Sequence, residues 1–380
     1  MIGGRALIIA AWSGVFIYGY LNAMLGIVLP NLMDMLKLDK SQAGKFFMFI
    51  SIGLLVSSIP AGLTMDYSGT KIVTCLGLLA VAAAFWGLGT IKSPRFLYAL
   101  SFLLGLGGAM VIAGENTTIS LANTSQREVA SNLLNLFFGV GAFIAPFIVM
   151  PVLKTRGFSG VLKASAVLTA AILAFHLSLT FPPPVVATHF PLGSVATLLG
   201  EPRLLLLMFL VFLYVGTEFS VWSWTVTFFT SERGYPQQSA SRIISIFALT
   251  MIAGRWATQW TLVKFGPLQL LLMSAAGAVI SLAALYVIRG RIPVIVAALA
   301  GGWFMAAIFP TALGLAGSYF PSSVGTAISL VTTGGWLGAI AIPPAVGFVA
   351  DRFGVSRGLL IPVGAALLML ITPVLLMRMH

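Results

Sequence analysis

The chain has 380 residues, 59% of them hydrophobic and only 8% charged, with a mean hydropathy of +1.04. That leaves too few polar residues to cover a soluble globule, so the chain reads as an integral membrane protein. The net charge of +12 does not indicate a nucleic-acid partner, because the basic residues stand singly in short loops where they meet lipid headgroups and set topology; the lone Cys75 excludes a disulfide or thiolate cluster, and no metal or other cofactor is expected.

Residues 1–5 lead directly into an apolar run with no small-residue cleavage site, so no removable signal is expected. Twelve segments have the length a bilayer core demands of a helix: residues 6–29, 44–65, 72–91, 95–122, 130–152, 161–181, 203–229, 240–260, 267–287, 293–316, 323–346 and 357–378. Most connections are short. The longest polar break begins at Phe181-Pro-Pro-Pro184, which no helix can continue through. It predicts an all-α architecture of two six-helix bundles, residues 1–181 and 203–380, joined by a linker at 182–202.

The two halves look like copies. Phe16-Ile-Tyr-Gly-Tyr-Leu-Asn22 matches Phe212-Leu-Tyr-Val-Gly-Thr-Glu218 at an offset of 196, Gly141-Ala142 and Pro146 recur as Gly338-Ala339 and Pro343 at 197, and Gly69 recurs as Gly266. One offset fitting three separated places predicts a parallel repeat, with a substrate site between the repeats.

Polar side chains inside apolar segments mark where chemistry is expected. Glu115 is the sharpest: a carboxylate in a spanning helix costs about 2.5–3.5 kcal/mol on insertion scales, so it is a functional-site hypothesis by default. Low dielectric favours the neutral form of a carboxyl until water enters, which is what proton coupling needs. Thr118 shares its stripe and Asn116 stands beside it. Glu218 shares a stripe with Tyr214, Trp222 and Thr225, an acid, aromatic rings and a hydroxyl that suit a sugar's hydroxyls and its C–H faces. Interfacial anchoring would explain Trp222 and Trp224 as simply.

Asn22 shares a stripe with Tyr18 and Gly26 and stands at the repeat position of Glu218. Asn132 and Asn135, three residues apart, either bind substrate or join helices, with Asn135 the deeper. Trp303, Thr332, Thr333 and Trp336 are weaker candidates. His176, alone in the sixth segment, reads as a packing histidine. No basic residue reads as mid-segment, Arg242 and Arg255 being placed near helix ends, which argues against an anionic substrate. His189 with Glu201 in the linker is a poor enzyme constellation, so no enzyme is expected.

Tyr214-Val-Gly-Thr-Glu-Phe-Ser-Val-Trp-Ser-Trp224, Gly254-Arg255, Phe309-Pro310, the run from Gly338 to Asp351, and Leu21-Asn22 with Leu29-Pro30 together resemble the major facilitator superfamily, and more narrowly its fucose:proton symporter family. The loop Gly62-Leu-Thr-Met-Asp66-Tyr-Ser-Gly69 resembles the superfamily's signature between segments 2 and 3. There Asp66 beside a glycine turn can accept from a neighbouring helix N-terminus and latch one conformation, with Gly69 and Arg255 in the same latch.

The resemblance implies proton-coupled symport of a monosaccharide by alternating access. Glu115 and Glu218 are then the expected proton-coupling acids, and Asn22, Asn116, Asn132, Asn135, Tyr214, Glu218, Trp222 and Trp303 are expected to bind the sugar. The expected partners are sugar, proton and membrane lipid, and a monomer is expected to function. It also implies a bacterial inner membrane with both termini cytoplasmic, although that topology leaves six Lys/Arg inside and fifteen outside, against the positive-inside tendency. Gly26 replaces an acid of the family, and Ile308 and Phe309 make segment 10 less polar than in the fucose carrier. A proton-driven exporter of neutral or cationic solutes and a sugar uniporter are the alternatives.

Overall fold

The computed structural model describes residues 2–91, 96–184 and 192–379. His189 lies outside the described residues. All regular structure among the described residues is helical, in the order α1 (Ile2–Leu36), α2 (Lys40–Ser68), α3 (Thr70–Thr90), α4 (Leu97–Ala122), α5 (Arg127–Leu177), α6 (Leu192–Leu199), α7 (Pro202–Ser231), α8 (Gln237–Phe265), α9 (Pro267–Val287), α10 (Arg291–Met305), α11 (Ile308–Tyr319), α12 (Val324–Phe353), α13 (Val355–Gly358), α14 (Leu360–Met369) and α15 (Ile371–Arg378).

Ten helical runs among these residues are long and apolar enough to cross a membrane. The 51-residue α5 breaks at Gly157, where φ is 66°, and so supplies two crossings, called here its first and second limbs. Helix α8 has crossing length, 29 residues, with a weaker apolar signal because Ser, Thr, Gln and Arg recur along it. The twelve expected segments are thereby accounted for, and the protein is a multi-pass integral membrane protein.

The repeat is visible in local geometry. Gly69 (φ 85°, ψ 159°) and Gly266 (φ 77°, ψ 169°) separate α2 from α3 and α8 from α9, and their amides donate to Met65 O and Leu262 O, each at 2.9 Å. Any residue with a β-carbon would be strained at that φ, so glycine is required. Gly157 and Gly354 repeat the pattern with φ of 66° and 91°.

Close helix approach repeats as well. A β-carbon on Gly141 would stand 2.1 Å from Phe16 O, and one on Gly338 would stand 2.0 Å from Phe212 O. Gly105 against Ile50 O (2.0 Å) and Gly302 against Phe247 O (2.1 Å) form a second such couple. Helix association in lipid depends on backbones meeting where side chains are absent, so the two copies use the same positions to pack.

The residues cluster into two compact units. One comprises Met1–Arg127, Leu134–Thr197 and Phe320–Leu330; the other comprises Glu128–Leu133, Leu198–Tyr319 and Val331–His380. The first unit packs an apolar core around Met24, Leu78, Phe85 and Leu97. Within it, α4 lies tightly on α2 and α3: Ser57 Oγ donates to Leu106 O at 3.0 Å where the glycines of α4 let the backbones meet.

Candidate functional site

In the first unit, α4 carries Glu115 into the bundle interior, where the side chain is 0% exposed. The space for it is made by α1: a β-carbon on Gly14 would stand 2.0 Å from Glu115 Oε1. The second limb of α5 brings His176, also 0% exposed, so that its Nε2 lies 2.7 Å from Oε1. The other His176 nitrogen, Nδ1, is 2.8 Å from Ile172 O. Oε2 of Glu115 is buried with no hydrogen-bond partner. His176, read from sequence as a packing histidine, is thus the hydrogen-bond partner of the most buried acid in the unit.

Beside this pair, Asn135 Nδ2 donates to Asn116 Oδ1 at 2.9 Å, and Asn116 Nδ2 donates to Ile112 O at 2.9 Å, with both side chains buried. The two asparagines thus form one buried amide pair joining α4 to α5. Thr118, on the Glu115 stripe, donates to Thr70 Oγ1 at 2.8 Å and packs α4 on α3. Asn22 is exposed on α1 and turns its amide back to Tyr18 O at 2.8 Å. Tyr18, Leu21 and Asn22 line a pocket with Ile50, Phe85 and Leu104. A β-carbon at Gly26 would meet open space.

Asp66, at the end of α2, also belongs to this unit. Its Oδ1 accepts from Gly325 N at 2.7 Å, and its Oδ2 accepts from Thr326 N at 2.9 Å and Thr326 Oγ1 at 2.6 Å. These are the first N–H groups of α12, which have no acceptor within their own helix and carry its positive dipole end.

In the second unit, Glu218 is half-buried on α7, and the Arg255 guanidinium of α8 is its charged neighbour. The Tyr214 hydroxyl is close enough to feel both, yet it is buried without a well-aligned hydrogen bond. The Tyr214 ring stacks on Phe309 at 6.3 Å. Trp222, 41% exposed, stands edge-on to Phe247 and also adjoins Glu218.

Arg255 corrects the sequence reading. It lies ten residues inside the C-terminal end of α8 and is buried beside Glu218. A basic residue does therefore occur at mid-segment, and the argument against anionic substrates falls. The misreading arose because the apolar signal of α8 is weak, which makes its ends hard to place from sequence.

Other candidates are engaged in packing. Asn132 Nδ2 donates to Glu128 O at 2.9 Å and to Thr311 Oγ1 at 3.0 Å, joining the start of α5 to α11. Thr225 bonds Tyr286 through its hydroxyl at 2.9 Å. Trp224 Nε1 donates to Pro343 O at 3.1 Å and its ring lies over Gly347, which ties α7 to α12. Trp303 is half-exposed on α10. Among the described residues no group of three or more His, Cys, Asp or Glu could hold a metal ion.

Similarity to known proteins agrees with this architecture. The chain is similar to Protein TsgA of Escherichia coli O157:H7, 26% identical over 318 residues, covering 80% of this chain and 78% of that protein. Its fold is similar to that of the E. coli fucose:proton symporter FucP (TM-score 0.84, 19% identity, 98% of each chain covered). It is similar also to that of the human organic anion transporter MFSD10 (TM-score 0.78, 16% identity, 97% of this chain and 99% of that one). Residues 11–292 match the family model of the Major Facilitator Superfamily, so the chain belongs to that superfamily and is a membrane transporter rather than an enzyme.

Proposed function

We propose that the protein is a proton-coupled symporter of a monosaccharide, a hexose or deoxyhexose, working by alternating access. The observation that carries this reading is the Glu115 carboxyl, fully buried, with one oxygen on His176 and the other without a partner. A group so placed is costly to keep, and loading a proton changes its charge before the site closes. Glu218, with Trp222 and Tyr214 around it, supplies an acceptor for hydroxyls and flat surfaces for C–H faces. The likeness in fold to FucP supports the same reading.

In this scheme residues 1–181 and 203–380 are the two moving bundles and 182–202 the linker. The termini are cytoplasmic, the membrane is a bacterial inner membrane, and a monomer suffices. Asp66 and Gly69 latch one conformation through the start of α12. Gly26, where the resembling family has an acid, leaves Glu115 as the principal proton carrier.

The test is proton movement in proteoliposomes containing the purified protein and a pH dye, with glucose, galactose, fucose, mannose and a non-sugar panel added singly. Alkalinisation outside with one sugar, lost in Glu115→Gln while counterflow persists, is the expected outcome. Silence with every sugar sinks the reading.

A second reading rests on Arg255. A buried guanidinium beside Glu218 suits an organic anion, and MFSD10, named as an organic anion transporter, shares the fold. Proton movement driven by a carboxylate-bearing solute, and by no neutral sugar, would favour it.

A further inference from the structure

The Glu115–His176 contact fixes more than a partner. Ile172 O is a carbonyl and can only accept, so the 2.8 Å contact requires a hydrogen on Nδ1. Nε2 then either accepts from a protonated Glu115 or donates to an ionised one across the 2.7 Å gap. Both descriptions contain one proton between Oε1 and Nε2, and in both the pair is neutral.

Removing that proton leaves a carboxylate oxygen facing an imidazole lone pair. No hydrogen bond can hold that arrangement, and the pair then carries a buried negative charge. Adding a second proton leaves a neutral acid and an imidazolium, with a net positive charge.

The surroundings add little to compensate. From α1 the Gly14 backbone faces the carboxyl. From α3, Cys75 lies within its electrostatic range, and Thr74, whose buried hydroxyl has no partner, packs on Gly114. Lys71, a turn earlier, commits its ammonium to Leu177 O and Leu179 O at 2.9 and 2.8 Å. Around the imidazole stand the rings of Phe175 and Phe181.

We propose that the transported proton is held jointly by Glu115 and His176, with His176 the positioning residue that keeps the loaded carboxyl neutral in the closed bundle. The inference rests on the proton-coupled reading above. Release passes the shared proton to water and leaves glutamate carboxylate and Nδ1–H imidazole. With a single N–H left, the imidazole can keep its contact with Ile172 O or its contact with Glu115 but not both, so release must break a hydrogen bond either within the second limb of α5 or between that limb and α4. Proton release is thereby linked to movement inside the first unit.

Two measurements on the full chain decide it. Replacing the other two histidines (His189→Gln, His380→Gln) leaves one imidazole for nitrogen NMR, and infrared difference spectra follow the Glu115 carboxyl. The expected result is a common titration midpoint for both probes, with the imidazole midpoint moved in Glu115→Gln. Separate midpoints, or an imidazole indifferent to Glu115→Gln, overturn the joint proton.

In proteoliposomes, His176→Gln is expected to keep counterflow but lower solute-driven proton uptake by roughly tenfold or more, the equivalent of one pH unit of proton affinity, and to flatten the pH profile of uptake. A purely structural histidine would lower both activities together, and normal coupled uptake in His176→Gln would overturn the proposal. If no solute in the panel moves protons, the symport reading fails and takes the transport role of the pair with it. Coincident midpoints would then still establish the shared proton.

Discussion

Each unit holds a carboxylate among its helices, Glu115 fully buried and Glu218 half-buried, and the two have opposite company. Glu115 meets an imidazole, whose charge can change, while Glu218 meets a guanidinium, which stays cationic throughout the working pH range. With His176 the pair is neutral when one proton lies between the partners. With Arg255 the pair is neutral when the carboxylate is ionised. Under the proposed function, it is the partner that suits Glu115 to carrying a proton and Glu218 to accepting hydrogen bonds from a solute.

The largest effect is expected where this contrast is tested directly. Glu115→Gln should lower coupled uptake about 100-fold, or about 2.7 kcal/mol, with exchange of solute across the membrane preserved. Glu218→Gln should instead weaken solute binding by about tenfold, 1.4 kcal/mol, at an unchanged ratio of protons to solute. Finding the two phenotypes exchanged would reverse the assignment of roles.

Asp66 extends the comparison to an acid that accepts from the backbone and a hydroxyl at the start of α12. Its acceptors serve three fixed donors on Gly325 and Thr326. Asp66→Asn replaces one acceptor oxygen with an N–H donor that opposes them, at an expected cost of about 2–3 kcal/mol. Cysteine labelling near residue 325 should rise if the contact holds a closed face, and unchanged labelling would count against the latch.

Gly14 sharpens the Glu115 side alone. A methyl group there would occupy the position of Oε1, so Gly14→Ala should push the carboxyl off His176 and destabilise the first unit by about 1–3 kcal/mol. Thermal unfolding in detergent together with coupled uptake checks this. Full coupling in Gly14→Ala would show that the 2.7 Å contact is dispensable.

Sequence made the fold and both acids legible, because an apolar run long enough to span, and a charge within it, are local signals. The repeat was legible from glycines, which close packing and positive φ restrict to one residue type. Partnership was harder. His176 lies 61 positions from Glu115, and no periodicity within one segment joins them. The available signal was elimination: a buried acid and a lone histidine in the same half each need a partner. Arg255 was misplaced because α8 is too polar for its ends to be read. Asn132 and Asn135 share a stripe on α5 but serve different neighbours, Thr311 and Asn116, a division set by tertiary packing alone.

The smallest effect is expected at Glu232, an exposed acid just beyond α7 that shows what the same group does outside the membrane. Its slight burial opposes ionisation, but hydrogen bonds from the Ser356 hydroxyl and amide and the Val355 amide, with the Arg233 charge, outweigh that and hold its carboxyl below the usual glutamate range. A depressed value means that the stabilisation is complete above the ordinary glutamate pKa and disappears as pH falls through the lower folded value. Because the group faces solvent, the contribution should stay under about 1 kcal/mol. Thermal unfolding of wild type and Glu232→Gln should therefore differ slightly at neutral pH and converge in acid, with proton coupling the same in both. A Glu232→Gln variant that lost coupling would mean that a solvent-facing acid takes part in proton transfer, and that partner identity inside the bundle does not decide the role.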